Sequence, residues 1–378
     1  MLWHIAILTL ATHAASQAVV APNSAAYSSR LWSKSPAVNY NNSYLIGNGR
    51  VGGAVFGNVA GEIVSVNEDS FWSGGYIYRV NEDARSQMPK LQQLIRDGSV
   101  VEATSFADLM YAGQPLSARH YELLGDLEIT GSSYERYLDV DDSTAGVYYV
   151  NNGTAYFREY LSSEPAGVLA VRVASNQTGT VSLRVHLRRG PNGSLNRWED
   201  YSRKSGNDTI VIGGHSASAT GIEFAAGARV MAKGGSVYTL GDTILIDHAD
   251  EAWIYFQSWT DFRKSDPKAA VLADLAGIKQ TYPEIRAAHI KDYQSYAHRV
   301  ELSLGNSSTV QKSQTTAQRI GSLNNGTFDP ELVALYFDFG RYLFISTSRN
   351  NTLPPNLQGI WNSQLGELWK RDMPGDVS

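Results

Sequence analysis

Cysteine is absent from this 378-residue chain. Disulfides and zinc–thiolate sites are therefore excluded, and stability must come from a large core rather than from cross-links. An excess of one charge is missing too. The chain has 32 Lys and Arg against 37 Asp and Glu, a net charge of −5, and the basic residues form no run or stripe. Nucleic acid is not an expected partner. Nor is a membrane, since no later apolar run reaches the ~20 residues that a spanning helix needs. Histidine is sparse, eight in all, and no pair has the i, i+4 spacing of a helical metal site. Gly-x-Ser-x-Gly, the mark of a nucleophile elbow, does not occur. No metal and no cofactor are expected. Internal repeats and low-complexity segments are also missing.

What is present starts with a short apolar run from Ile5 to Leu10, followed by small residues, with Ser16-Gln17-Ala18 as a small-x-small cleavage site. This predicts a signal peptide over residues 1–18 and a secreted chain. Asn-x-Ser/Thr sequons support that reading. They begin at Asn41, Asn152, Asn176, Asn192, Asn207, Asn306, Asn325 and Asn350, eight of the 21 asparagines. Each marks an exposed loop in a glycosylated protein.

Residues 19–265 read as β. Short alternating runs recur at 167–174, 180–187, 208–214, 222–232 and 242–259, separated by Gly, Asn, Asp and Ser. Residues 143–163 form a hairpin candidate around Asn151-Asn152-Gly153. Many short strands between turn signals predict a β-sandwich. Residues 81–113 are the exception: Leu91, Leu94 and Ile95 keep a helical period, so a helical insertion is expected there. After Thr260 the pattern turns helical. Residues 266–305 read as a helical linker, with Pro267 and Pro283 in first-turn positions and Ile285, His289, Tyr293, Tyr296 and Val300 on one face. Residues 300–305 read as a short strand. Asp329-Pro330-Glu331 then supplies a cap, a first-position proline and an acid for a further helix. That helix is apolar nearly all round, which predicts burial inside a larger assembly.

Two stretches carry candidate chemistry. Residues 47–52, GNGRVG, match the dinucleotide-binding fingerprint, with Glu68 placed 19 residues past Gly49. The fingerprint requires a helix next, but VGGAVFGNV follows, which is strand and turn material. The second stretch is VNEDSFWSGG, residues 66–75, where Glu68 and Asp69 stand beside Trp72. Glycosidases use two carboxyls ~5 Å or ~6.5–9.5 Å apart across the scissile bond. Neighbours on a strand point to opposite faces, so this pair cannot flank one sugar unless a turn reorients it. The alternative is a structural turn whose acids cap backbone N–H groups.

Three longer blocks are more specific. Residues 30–75, 119–129 (RHYELLGDLEI) and 329–362 (DPELVALYFDFGRYLFISTSRNNTLPPNLQGIWN) resemble glycoside hydrolase family 95, the α-L-fucosidase family, in order and spacing. The resemblance implies a fold that is mainly β at its N-terminus. A β-sandwich is followed by a helical linker and the first helix of an (α/α)6 barrel over residues 306–378, incomplete here. It implies a glycosidase that hydrolyses terminal α-L-fucosyl residues of a fucosylated glycan with inversion, although the family also includes enzymes acting on L-galactose. Family members use a Glu acid with Asn and Asp around the water, all beyond the NLQGIWN block. This sequence departs from the family near Gly366 and ends at Ser378, so the resemblance carries no catalytic residue onto it. Gln358, Trp361, Asn362, Asn67, Glu68 and Trp72 are the expected substrate-binding or pocket-rim residues. A second reading is a non-catalytic carbohydrate-binding sandwich, with Trp32, Trp72, Trp198, Trp253 and Trp259 as candidate platforms. The sequence does not fix the oligomeric state.

Overall fold

The computed structural model describes residues 19, 26–59, 61–75, 80–81, 84–111, 121–129, 135–189, 199–216 and 220–362. The signal peptide expected over 1–18, and Trp198, lie outside them.

Two antiparallel sheets face each other. The first has nine strands in the order β1-β6-β7-β8-β9-β16-β13-β12-β11, and the second seven in the order β14-β15-β10-β5-β4-β3-β2. The first comprises β1 (Arg30–Ser33), β6 (Glu135–Asp139), β7 (Thr144–Asn151), β8 (Thr154–Ser163), β9 (Val168–Ser175), β11 (Tyr201–Lys204), β12 (Thr209–His215), β13 (Glu223–Lys233) and β16 (Glu251–Thr260). The second comprises β2 (Tyr44–Gly47), β3 (Val51–Val55), β4 (Glu62–Glu68), β5 (Gly125–Ile129), β10 (Val181–Arg188), β14 (Ser236–Leu240) and β15 (Thr243–Ala249). The hairpin at Asn152-Gly153 has both residues in the left-handed region, φ 49° and 81°, the geometry that a tight two-residue turn requires.

Burial follows the layers. In β10, Val181, Leu183, Val185 and Leu187 point into the core between the sheets while alternate residues face out. β9 is instead buried along almost its whole length. Its outer side lies under α3 (Pro267–Gly277) and α4 (Tyr282–Ala297), where Val271, Leu275, Tyr282 and Ile285 cover Leu161, Val168, Ala170, Val211, Ala225 and Tyr255. A strand covered on both faces loses the polar half of its alternation. The linker helices therefore complete the sandwich. Asp266 caps α3, a Thr281/Glu284 capping box starts α4, and a proline stands in the first turn of each.

Three sequence expectations need correction or extension, and three short elements lie outside them. The run at 242–259 is two strands in different sheets: His248, at φ 56°, sits near the end of β15 where its register against β10 shifts, and the chain turns at Asp250 before β16. Residues 300–305 form no strand, and Val300 and Leu304 are exposed. β14, α5 (Thr309–Ser313) and α6 (Thr316–Asn324) are too short to show a clear period in the sequence. The expected insertion is two helices, α1 (Ala84–Arg96) and α2 (Val100–Tyr111), which pack mainly on each other.

The last helix, α7 (Pro330–Thr347), starts at the expected cap. Its burial is one-sided. Leu332, Leu335 and Tyr342 pack inward, whereas Tyr336 and Phe344 are 77% and 70% exposed. Asp329 does more than cap. It accepts from Leu332 N at 3.1 Å and holds both the Nε and Nη2 of Arg319, at 2.9 and 2.8 Å. The Arg319 fork lowers Asp329 to about 2. A depressed carboxyl stabilises the fold above its ordinary pKa and loses that contribution as pH falls from about 4 to about 2. Replacing Asp329 by Ala leaves Arg319 buried and unpaired. We expect a loss of about 3 kcal/mol, read as a lower urea midpoint at neutral pH, with the difference from wild type shrinking towards pH 2.

Candidate functional site

β4 ends at Glu68, and Asp69-Ser70 turn the chain. That turn reorients the two acids, so both carboxylates meet Arg263, just past the end of β16. Arg263 Nη1 donates to Glu68 Oε1 at 3.0 Å and also to Asp69 Oδ1, while Nη2 donates to Asp69 Oδ2 at 2.8 Å. Arg50 stands beside them, its Nη1 3.9 Å from Glu68 Oε1 and its guanidinium 3.9 Å from the Trp259 ring centre. Ser70 donates both N–H and hydroxyl to Glu68 Oε2, at 2.8 and 2.6 Å. Glu68 and Asp69 are buried, with 0% and 4% of their surface exposed. They point at a shared guanidinium instead of across an open cleft, which is not the geometry of a glycosidase acid and base.

The same corner holds the segment that follows α7. Asp69 Oδ2 accepts from Leu353 N at 2.7 Å, and Arg263 Nη2 donates to Asn351 O at 3.4 Å. Asn67 Oδ1 accepts from Asn362 N at 3.0 Å, and Asn362 Nδ2 donates to Tyr121 O at 2.8 Å. Tyr121 closes the loop by donating its hydroxyl to Ile360 O at 3.1 Å. Trp361 Nε1 donates to Ile46 O at 2.9 Å, and the Tyr342 hydroxyl donates to Leu45 O. Leu45 and Ile46 lie on β2, the edge of the seven-stranded sheet, so α7 and its following loop cover that edge. Gly49 N donates to Ser346 O at 2.7 Å.

Glycines make the approach possible. A Cβ on Gly47 would lie 2.6 Å from Ser346 O, and one on Gly52 would lie 2.9 Å from the Trp361 ring. The glycines that imitate a dinucleotide fingerprint thus form the socket of this joint.

The structure brings Asn67, Glu68, Trp361 and Asn362 together and buries all four. Trp72 is half-buried and donates its Nε1 to Asp69 O at 3.1 Å, edge-on to Tyr121 with ring centres 5.5 Å apart. Gln358 is half-buried in the tight Asn356–Gly359 turn, its N–H on Asn356 Oδ1 at 2.7 Å. The other tryptophans are spread out. Trp32 is buried, Trp253 donates to Glu251 Oε1 at 3.1 Å, and Trp259 has Arg50 and Lys264 over its ring. Arg50, Arg263 and Tyr121 were not anticipated. Isolated arginines and tyrosines carry no spacing signal, and only the fold places them beside Asp69 and Asn362. A cleft of about 630 Å³ lies elsewhere, between α7 and residues 300–306, and shares no lining residue with the joint.

The comparisons with known proteins match both halves of this joint. Residues 31–265 match the model described as glycosyl hydrolase family 65, N-terminal domain, and residues 281–377 match the glycosyl hydrolase family 95 catalytic domain. Both describe glycosidases, and that is the class. Among curated relatives, Alpha-L-fucosidase 2 of Arabidopsis thaliana is 32% identical over 88% of this chain and 44% of its own length. Probable alpha-fucosidase A of Aspergillus niger is 27% identical over 98% of this chain and 49% of its own, and that of Aspergillus oryzae 28% over 94% and 52%. The chain spans about half the length of these relatives. It belongs to the glycoside hydrolases through a family 65-type N-terminal domain that spans most of the chain, followed by a segment that matches the family 95 catalytic domain.

Two measurements probe the joint. Burial, then the neighbouring Asp69 charge, raise Glu68 from the ordinary 4.5 to about 7. A carboxyl that binds its proton more tightly when folded stabilises most at low pH and loses that contribution as pH rises from about 4.5 to about 7. Glu68→Gln removes this component. The stability difference between pH 5 and pH 8 should change by up to roughly 3 kcal/mol relative to wild type, measured by urea unfolding. His289, which burial lowers to about 4, adds a component of opposite sign between 4 and its ordinary 6.5, but it is present in both proteins and cancels. Gly47→Ala forces the added methyl against the Ser346 carbonyl. Proteolysis between residues 349 and 362 should then quicken while the sandwich stays intact.

Proposed function

We propose that this chain supplies the N-terminal sandwich, the linker and the docked start of the catalytic domain of a secreted α-L-fucosidase-type glycosidase. The enzyme removes terminal α-L-fucosyl residues from fucosylated glycans with inversion. One observation carries the reading: the segment that matches the family 95 catalytic domain is the segment the sandwich holds through the joint. The names of the relatives support fucose as the sugar. The apolar leader and the sequons support secretion. In this reading Asn67, Glu68, Trp361 and Asn362 set the position of the 351–362 loop, and Trp72 and Gln358 are the members of the group with surface left to meet a ligand. The hydrolytic carboxyls are not Glu68 and Asp69, because Arg263 occupies both.

The test uses p-nitrophenyl α-L-fucoside. The 378-residue chain is expected to release no nitrophenol above background. A longer protein containing it is expected to release fucose whose first anomer, seen by proton NMR, is β. Turnover by the short chain that Glu68→Gln abolishes would make Glu68 catalytic and overturn this assignment. Saturable binding of fucosylated glycans, with no hydrolysis by either protein, would turn the reading to a binding module.

A further inference from the structure

The seven sequon asparagines among the described residues, Asn41, Asn152, Asn176, Asn207, Asn306, Asn325 and Asn350, are all exposed, and none lies inside a helix or strand of the two main layers. The buried asparagines Asn48, Asn67, Asn81 and Asn362 all lie outside sequons. Exposure alone is ordinary for asparagine. Position is more telling.

Strand register places three of the sites at one end of the nine-stranded sheet. Asn152 sits in the turn closed by the Asn151–Thr154 pair. Ser175, the last residue of β9, pairs with Tyr156 at the start of β8, so Asn176 emerges beside that turn. Ala174 and Lys233 both pair with Glu251 at the start of β16, and Arg229 pairs with Thr209 at the start of β12. The β11–β12 turn carrying Asn207 therefore leaves the sheet at this same end. The joint lies at the other end. There Asn48 donates to Ser163 O, Arg50 to Ser258 O, and Ser70 meets Thr260, at the ends of β8 and β16.

We propose that Asn152, Asn176 and Asn207 are N-glycosylation sites that gather at the end of the sandwich away from the joint, and that Asn176 also serves as a structural acceptor. This rests on the secretory reading. In the reaction, the Asn Nδ2 displaces the diphosphate from C1 of a lipid-diphosphate-linked oligosaccharide. The N–C bond forms, the C–O bond breaks, one amide proton is lost and the lipid diphosphate leaves. The side-chain carbonyl stays free to accept. At Asn176 that carbonyl already accepts from Ala155 N at 2.9 Å, so the remaining nitrogen can carry sugar without breaking the contact. Thr178, the third residue of that sequon, is exposed.

The experiment expresses the chain behind its own N-terminus in a eukaryotic secretory host and maps occupancy by peptide-N-glycosidase digestion in H₂¹⁸O. Asn152, Asn176 and Asn207 should each convert to labelled Asp. Asn152→Gly, which keeps a residue suited to positive φ, Thr178→Ala and Asn207→Gln should each lose one glycan mass. Asn176→Ala and Thr178→Ala should lose the same glycan but differ in stability. Made in bacteria, where neither is modified, Asn176→Ala should lower the folding equilibrium constant about tenfold and Thr178→Ala should not. Secreted protein with these three asparagines unlabelled overturns the proposal, and equal stability of the two variants overturns the structural role of Asn176. Retention of the protein inside the cell sinks the leader instead. The mapping is then repeated behind a leader of known export, and unlabelled asparagines there overturn the sites themselves.

Discussion

A single guanidinium, Arg263, held between the buried carboxylates of Glu68 and Asp69, is the contact on which the arrangement of the two halves depends. It links three separate parts of the chain: the turn after β4, the end of β16 and the loop after α7. Burying these charges is costly, and an apolar replacement of the same shape would serve stability about as well. Breaking the cluster is a different matter, because any one partner removed leaves the others charged in a dry place. The cluster therefore acts on position more than on total stability. Two carboxylates and two guanidiniums fix where Leu353 must lie with a directionality that apolar contact does not have.

The sandwich makes such a corner possible because both faces of its larger sheet are covered. The core between the sheets occupies one face, and α3 and α4 occupy the other. The strand ends at Ser163 and Thr260 are thereby held rigidly, and the side chains that project beyond them are placed by packing rather than by loop conformation. The sheet edge at β2 is covered in the same way, its carbonyls taken by Tyr342 and Trp361 instead of being left to another strand. Covering an edge and seating a domain are here one structural act.

Much of this was legible in the sequence, and the gaps have physical causes. The strands with strict alternation, the Asn152-Gly153 turn and the capped start of α7 follow from local rules that act within a few residues. The turn at Asp250, just after the positive-φ His248, did not, because a residue other than glycine at positive φ leaves no mark in the hydropathy pattern. The one-sided burial of α7 did not either: an apolar residue such as Phe344 reads the same whether or not a neighbour covers it. The candidate site was half visible. Asn67, Glu68, Trp361 and Asn362 were picked out together, across nearly three hundred residues, by resemblance. Their partners Arg263 and Tyr121 come from positions whose proximity is created only by the sheet register and by the turn at Asp69.

The glycine cluster at residues 47–53 shows why a motif needs its structural context. A dinucleotide site requires glycines because a pyrophosphate must come close to bare backbone. Here the same requirement is set by an indole ring and a helix carbonyl, which lie where the Cβ atoms of Gly52 and Gly47 would stand. The sequence records that something approaches closely, but not what approaches. The deciding feature overlaps the cluster: strand β3 begins at Val51, where the nucleotide fold would have a helix N-terminus. With no helix there is no positive end to hold an anion: the Gly49, Arg50 and Val51 N–H groups bond to Ser346 O and Asn48 Oδ1, and Trp361 donates to the Ile46 carbonyl.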